Sequence, residues 1–232
     1  MDIKYAKIDE INGSYEILKG EIKNIKVFYH KLRQNETFVS KYEENMAKVF
    51  ILAEGEISIN KNIMKKRGIS AFLPEHEVSI TGIKNAAVLE IKVLIDSAQA
   101  DKTQLPYYLN YEDADKYKEN CKSEKTTSRT LLKQRILPNI AIGSVETYGP
   151  DEVGCHTHPY IEQMFFAFSE NDMELVIDGE LFHMSGNALV HIPLASNHGV
   201  LIKENQCAHY VWIDYIIDDR ALEYLDSTHE DI

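Results

Sequence analysis

Short apolar runs separated by turn-forming residues recur along most of this chain, and they constrain its fold more than any other feature. Examples are Val49 to Ala53, Ala87 to Ile95 and Gln163 to Phe168. These runs are rich in Val, Ile and Phe and most are too short for helices, which favours strands. Asp178-Gly179, between two further runs, is typical of a hairpin turn because glycine accepts a positive φ. The pattern predicts an all-β sandwich or barrel.

Helix is expected in two places, from Tyr111 to Cys121 and from Asp218 to Leu225. No run of about 18 apolar residues is present, so we expect no membrane-spanning helix. The three cysteines are scattered and the N-terminus lacks the apolar stretch of a secretory signal. A cytoplasmic location is the natural expectation.

The charge of the chain is unevenly distributed. The formal net charge is −12, yet residues 141–232 contain 17 acidic side chains and only two basic ones, Lys203 and Arg220. Nucleic acids and anionic membranes require clustered positive charge, so neither is expected as a partner.

One pattern of residues suggests a functional site. It consists of two histidines, one glutamate and a more distant histidine. His156, His158 and Glu162 share parity, so on an extended chain they would project to one face. His198 follows a Gly-to-Pro apolar run and begins another predicted strand. Three imidazoles and one carboxylate suit a divalent transition metal with open positions for substrate or water.

The segments Gly149 to Ser169 and Gly186 to Gly199 resemble the two motifs of the cupin superfamily. This resemblance implies a double-stranded β-helix (jelly-roll) barrel with His156, His158, Glu162 and His198 as metal ligands. Ser169 replaces the final Gly of the first motif, which is a departure in the turn rather than in the ligands.

A faint internal repeat extends the resemblance to a two-barrel cupin. Gly68 to Pro74 is similar to Gly186 to Pro193, and the stretch that begins at Lys48 occupies a place like that of Gln163. We therefore expect an N-terminal barrel over 1–96, a linker with a helix and a basic stretch over 97–140, and a metal-binding barrel over 141–232. No histidine lies between His30 and His76, so one metal per chain is expected.

Other residues are candidates for substrate contact. Gln163, beside Glu162, is grouped with it as catalytic, although a strand amide facing solvent is equally consistent with the sequence. The basic stretch 122–135 offers Arg129 or Arg135 as a clamp for an anion, unless it is a solvated connector. Tyr148 and Trp212 complete the set of substrate-binding candidates, although a core position is the default for Trp212.

The leading hypothesis is a metal-dependent enzyme, similar to sugar or keto-acid isomerases and epimerases, that acts on a small polar metabolite. The metal would be Zn, Mn, Fe or Ni. One alternative is a non-catalytic protein whose metal anchors a ligand for binding or sensing, and a second is an Fe(II) dioxygenase. Exposed β-edges and the family resemblance favour a homodimer.

Overall fold

The structure, a computed structural model, describes residues 3–8, 12–223 and 230–231. It contains two compact units. The C-terminal unit comprises Met1–Ile8, Asp115–Lys133 and Ile140–Ile232, and the N-terminal unit comprises Asp9–Ala114 and Gln134–Asn139. Residues 97–140, expected to form a linker, are therefore shared between the two units.

The N-terminal unit consists of two antiparallel sheets. Its strands are β2 (Ser14–Ile17), β3 (Ile25–Leu32), β4 (Thr37–Ser40), β5 (Met46–Glu54), β6 (Glu56–Ile59), β7 (Asn62–Lys65), β8 (Ile69–Phe72), β9 (Val78–Gly82), β10 (Ala86–Leu94) and β11 (Tyr107–Leu109). The sheets have the orders β11-β8-β5-β10-β3-β2 and β4-β9-β6-β7. One core cluster draws on both sheets, with Phe50 and Phe72 from the first and Ile57 and Ile80 from the second.

The C-terminal unit is also formed of antiparallel strands. They are β1 (Tyr5–Lys7), β12 (Lys116–Lys118), β13 (Thr127–Leu132), β14 (Ile140–Tyr148), β15 (Asp151–His156), β16 (Ile161–Ala167), β17 (Asp172–Ile177), β18 (Glu180–Ser185), β19 (Ala188–Ile192), β20 (His198–Ile202), β21 (Cys207–Ile216) and β22 (Glu230–Asp231). The longest path through the sheet is β1-β19-β16-β21-β14-β13-β12-β22.

The remaining strands of the C-terminal unit form a second path, β15-β20-β17-β18, which joins the first where β17 also pairs with β21. The core cluster contains Phe165 and Trp212 from the first path and Leu175 and Val200 from the second. Inward-facing residues of both paths therefore enclose one core, as strand alternation requires when two antiparallel layers pack face to face.

The helix expected from Tyr111 to Cys121 is wrong. A single 3-10 turn spans Tyr111–Asp113, and β12 then pairs with β13. Tyr117 is 3% exposed and belongs to the core cluster, whereas Lys116 and Lys118 are exposed. Burial of this aromatic ring overrides the helix propensity of the Lys/Glu-rich sequence.

The second expected helix, Asp218 to Leu225, is only partly covered by the structure. Residues 220–223 are helical, and Leu225 lies outside the described residues. Within the described part of the chain, no helix is long and apolar enough to cross a membrane.

Candidate metal centre

Two neighbouring strands bring the three predicted histidines together. β15 ends at His156, β20 begins at His198, and these two residues are direct partners in the antiparallel register. His158 follows two residues after the end of β15. The potential ligand atoms of the three side chains all lie within 4.8 Å of one another, and the group could hold a metal ion.

Backbone carbonyls orient two of these imidazoles. The Nδ1 atom of His156 lies 2.7 Å from the carbonyl oxygen of Gly154, and Nδ1 of His198 lies 3.1 Å from that of Ser196. Because a carbonyl only accepts, Nδ1 is the donor in each case and Nε2 retains its lone pair. This is the usual way in which a protein fixes the tautomer of a metal-binding histidine.

The Nε2 atom of His198 is buried and has no hydrogen-bond partner among the described residues. Burial, together with the neighbouring His156, lowers the pKa of His198 to about 4. The imidazole is therefore neutral near pH 7, the form that a metal requires. An orphaned buried nitrogen is costly unless something binds it, so this atom fits a metal ion.

Glu162, expected to be the fourth ligand, is not brought to this cluster. Its carboxylate instead lies 3.0 Å from Nε2 of His191. The expected parity is lost because the chain is not extended after His156: Tyr160 has a φ of +70° and β16 begins at Ile161. The alternation of side chains therefore begins again in β16, and it no longer follows the parity of His156 and His158.

Gln163, the residue after Glu162, faces the cavity beside the histidines. It is 4% exposed and lines the same cavity as His156 and His158. Its Nε2 donates to Oδ1 of Asp214 at 2.7 Å, while its Oε1 is buried without a hydrogen-bond partner in the described structure. An amide oxygen held in this way is a suitable ligand for a divalent cation.

The cavity beside the histidines is small and its wall is mixed in polarity. Its volume is about 30 Å³, enough for one or two water molecules. Its lining consists of Glu119, Lys122, Val145, Val153, His156, His158, Gln163, Phe165, Tyr210, Trp212 and Asp214.

Trp212, predicted to contact substrate, lines this cavity and packs over Gly143. A Cβ atom at position 143 would lie 2.2 Å from the indole ring, so glycine is required to admit the ring. The indole Nε1 donates to the hydroxyl oxygen of Tyr117 at 3.0 Å. These contacts fix the orientation of the only tryptophan in the chain.

An ion pair that the sequence did not single out also faces the cavity. Lys122 pairs with Glu119, and their side chains are only 7% and 14% exposed. The Lys122 ammonium also donates to Ser128 Oγ at 3.0 Å and to the Tyr117 hydroxyl at 3.3 Å. The cation is thus held by three partners within the wall of the cavity.

The other three substrate-binding candidates do not line the cavity. Arg129 follows Ser128 in β13, so strand alternation turns it away from the side on which Ser128 meets Lys122. Arg135 is exposed and belongs to the N-terminal unit, and Tyr148 is 67% exposed at the end of β14. A basic stretch identifies a region of charge, but not which of its side chains turns inward.

Comparison with solved structures identifies the fold. A cupin 2 conserved barrel domain protein from Leptotrichia buccalis has a TM-score of 0.63 and 16% identity, covering 94% of this chain and 98% of that chain. The formate complex of oxalate decarboxylase from Lactobacillus farciminis has a TM-score of 0.72 and 9% identity, covering 93% and 86%. AerE from Microcystis aeruginosa has a TM-score of 0.67 and 10% identity, covering 92% and 98%.

No family model matches the sequence, and no curated protein matches it. At these levels of identity the structural likenesses establish the fold alone, which is a β-barrel fold of the kind found in cupin proteins. The expected all-β cupin class is confirmed to that extent.

Proposed function

We propose that the chain is a metal-dependent enzyme that isomerises or epimerises a small polar metabolite by proton transfer. The observation that carries this proposal is the group of three imidazoles beside a small cavity that is also lined by a carboxylate and an ammonium group. A scaffold that only stores a ligand has no need of a buried acid–base pair next to its metal.

The ligand set that fits best is His156, His158 and His198 with the side-chain oxygen of Gln163. It is supported by the buried Nε2 of His198 and the buried Oε1 of Gln163, neither of which has a hydrogen-bond partner in the described structure. Three nitrogens and one amide oxygen suit Mn, Fe, Ni or Zn.

A bound divalent metal would act as a Lewis acid on a carbonyl or hydroxyl oxygen of the substrate. Glu119 is the residue to which we assign proton transfer, since its carboxylate lines the cavity and is 14% exposed. It would accept a proton from the carbon beside the carbonyl and return it to that carbon or the next. The reaction is then an isomerisation that needs no oxidant. Trp212 and Phe165 would cover the reacting carbon and exclude water.

The N-terminal unit is, we infer, a second cupin barrel that has lost its metal site. Its strands repeat the pairings of the C-terminal unit: Ser40 at the end of β4 pairs with Val78 at the start of β9, as His156 pairs with His198 in β15 and β20. Lys48 of β5 pairs with the last residue of β8, as Gln163 of β16 pairs with the last residue of β19, so Lys48 corresponds to Gln163. These positions offer no imidazole, and Lys48, which is fully buried, donates to the backbone oxygen of His76.

One structural neighbour supports action on a small metabolite, because an oxalate decarboxylase is by its name an enzyme of a small acid. The test is exchange of carbon-bound hydrogen with solvent. Metal-loaded protein is incubated in deuterated water with small sugars, hydroxy acids and keto acids, and deuterium incorporation is followed by NMR.

We expect incorporation next to a carbonyl in the wild-type chain and none in the Glu119→Gln and His198→Gln variants. Tight ligand binding without exchange would favour a non-catalytic binding protein and contradict the proposal. Oxygen consumption with the iron-loaded protein would favour a dioxygenase instead. Exchange that persists in His198→Gln would exclude the metal-centred mechanism.

A further inference from the structure

Lys122 is the cation that faces the candidate metal centre, because it is the one basic side chain among the described residues that line the cavity. Residues 141–232 contain only two basic side chains, and both form exposed ion pairs: Lys203 with Glu174, and Arg220 with Asp218. The cavity therefore receives its positive side chain from residues 115–133 of the same unit.

Burying an ammonium group is costly, and its retention at a cavity wall requires a reason. The side chain of Lys122 is 7% exposed and is directed by Tyr117 and Ser128, two neutral hydrogen-bonding partners. These partners fix the position of Nζ but leave the positive charge of the ammonium group in place. Glu119 supplies the negative charge, and it faces the same small cavity.

We infer that Lys122 is the binding group for the carboxylate of a small monoanionic substrate, and that Glu119 holds its place until the substrate enters. The inference rests on the proposed function, since the other end of the substrate would meet the metal. It narrows the substrate class from a polar metabolite to a small hydroxy or keto acid.

Charge and volume both support this class. With a divalent ion bound and the imidazoles neutral, the ion, Lys122, Glu119 and Asp214 carry one net positive formal charge, which a monoanion would neutralise. The small cavity, about 30 Å³, favours a small substrate. A substrate carboxylate that pairs with Lys122 would displace the Glu119 carboxylate and so release Glu119 from its cation for proton transfer.

The experiment measures binding rather than turnover. The full chain is loaded with Co(II), and the visible spectrum of the metal is titrated with glycolate and, separately, with its neutral analogue glycolamide. For Lys122→Met we expect glycolate to bind about 10- to 100-fold more weakly, the effect of losing a charge-assisted hydrogen bond. Binding of glycolamide should change little.

A matched control lies in the same segment. Lys125 is exposed, and its Nζ donates to the backbone oxygen of Pro150 at 3.1 Å, so Lys125→Met removes the same charge outside the cavity. Its glycolate affinity should stay within about twofold of that of the wild type. Glu119→Gln, which removes the competing carboxylate, should bind glycolate about tenfold more tightly.

The outcomes separate the two proposals. A wild-type chain that binds no cobalt contradicts the proposed function. Equal glycolate affinity in the wild type and in a cobalt-loaded Lys122→Met variant overturns the carboxylate site while leaving the metal centre intact. If Lys122→Met does not fold, Glu119→Gln decides the matter, and an unchanged or weaker affinity for glycolate contradicts the inference.

Discussion

Replacing Asp214 by Ala removes the acceptor that orients the side-chain amide of Gln163. The hydrogen bond between them is 2.7 Å long, and the two residues are 2% and 4% exposed. A buried hydrogen bond to a charged group contributes about 1.5–3 kcal/mol. If that energy fixes the amide oxygen toward the metal, its loss weakens metal binding by about 10- to 150-fold, which agrees with the usual effect of residues that orient ligands.

A second substitution separates orientation from charge. Asp214→Asn keeps an oxygen that can accept from Gln163 but removes the negative charge. If orientation dominates, Asp214→Asn should bind metal nearly as well as the wild type, while Asp214→Ala shows the full loss. Equal losses in the two variants would mean that the charge of Asp214 attracts the metal and that the hydrogen bond is incidental.

Affinity is measured by competition for Zn(II) between metal-free protein and a chromophoric chelator, and thermal unfolding establishes that each variant is folded. Gln163→Leu serves as the reference for complete loss of the amide ligand. Asp214→Ala should approach it, and the double variant should lose little more than Gln163→Leu alone. An Asp214→Ala protein that binds zinc as tightly as the wild type would refute the orienting role.

Two further predictions concern stability. In Gly143→Ala the new methyl group overlaps the Trp212 indole, so we expect a loss of about 2–4 kcal/mol in the free energy of unfolding from overpacking and from the displaced indole hydrogen bond. Denaturant unfolding and the emission of the single tryptophan test this, and an unchanged spectrum would contradict it. In metal-free protein the pKa of His198 is about 4, below its ordinary 6.5. The unfolded chain therefore takes up a proton first as the pH falls, and the unfolding free energy should decrease by about 3 kcal/mol between pH 6.5 and 4. His198→Gln should lack that decrease.

The all-β class of the fold was predictable because strands and turns leave a local pattern in the sequence, namely short apolar runs separated by turn-forming residues. The segment from Tyr111 to Cys121 was not, since its Lys/Glu-rich composition favours a helix while its structure depends on one buried ring. Tyr117 reaches the core and accepts a hydrogen bond from Trp212, which is 95 residues away in sequence. The alternation of Lys116, Tyr117 and Lys118 was the one local sign of a strand.

The cluster of three histidines was predictable because two of them lie two residues apart, at and just after the end of one strand. The residue of β16 that faces the cavity was not, because parity holds only on continuous extended chain. The positive φ of Tyr160 interrupts the extended chain between His158 and β16, and Gln163 rather than Glu162 lines the cavity. Pro159, directly before Tyr160, was the available signal of this interruption.

The sequence predicted the region that places a basic side chain in the cavity wall, but not the residue. The acidic character of residues 141–232 indicated that a cation for an anionic ligand would come from the 122–135 stretch, and Lys122 lies at its first position. By its chemistry an arginine such as Arg129 is better suited than a lysine to bind a carboxylate, since its guanidinium can make two hydrogen bonds to it. Lys122 faces the cavity because its backbone bridges to Val153 of β15, a long-range contact that sequence spacing does not reveal.

The metal content of the purified chain tests the central claim most directly. Elemental analysis should find one equivalent of a divalent transition metal per wild-type chain, and next to none in a folded His156→Ala/His198→Ala variant. The His30→Ala variant, altered in the N-terminal unit, should retain its metal. A folded wild-type chain without metal after incubation with Mn, Fe, Ni and Zn, or a double variant that keeps a full equivalent, would contradict the account.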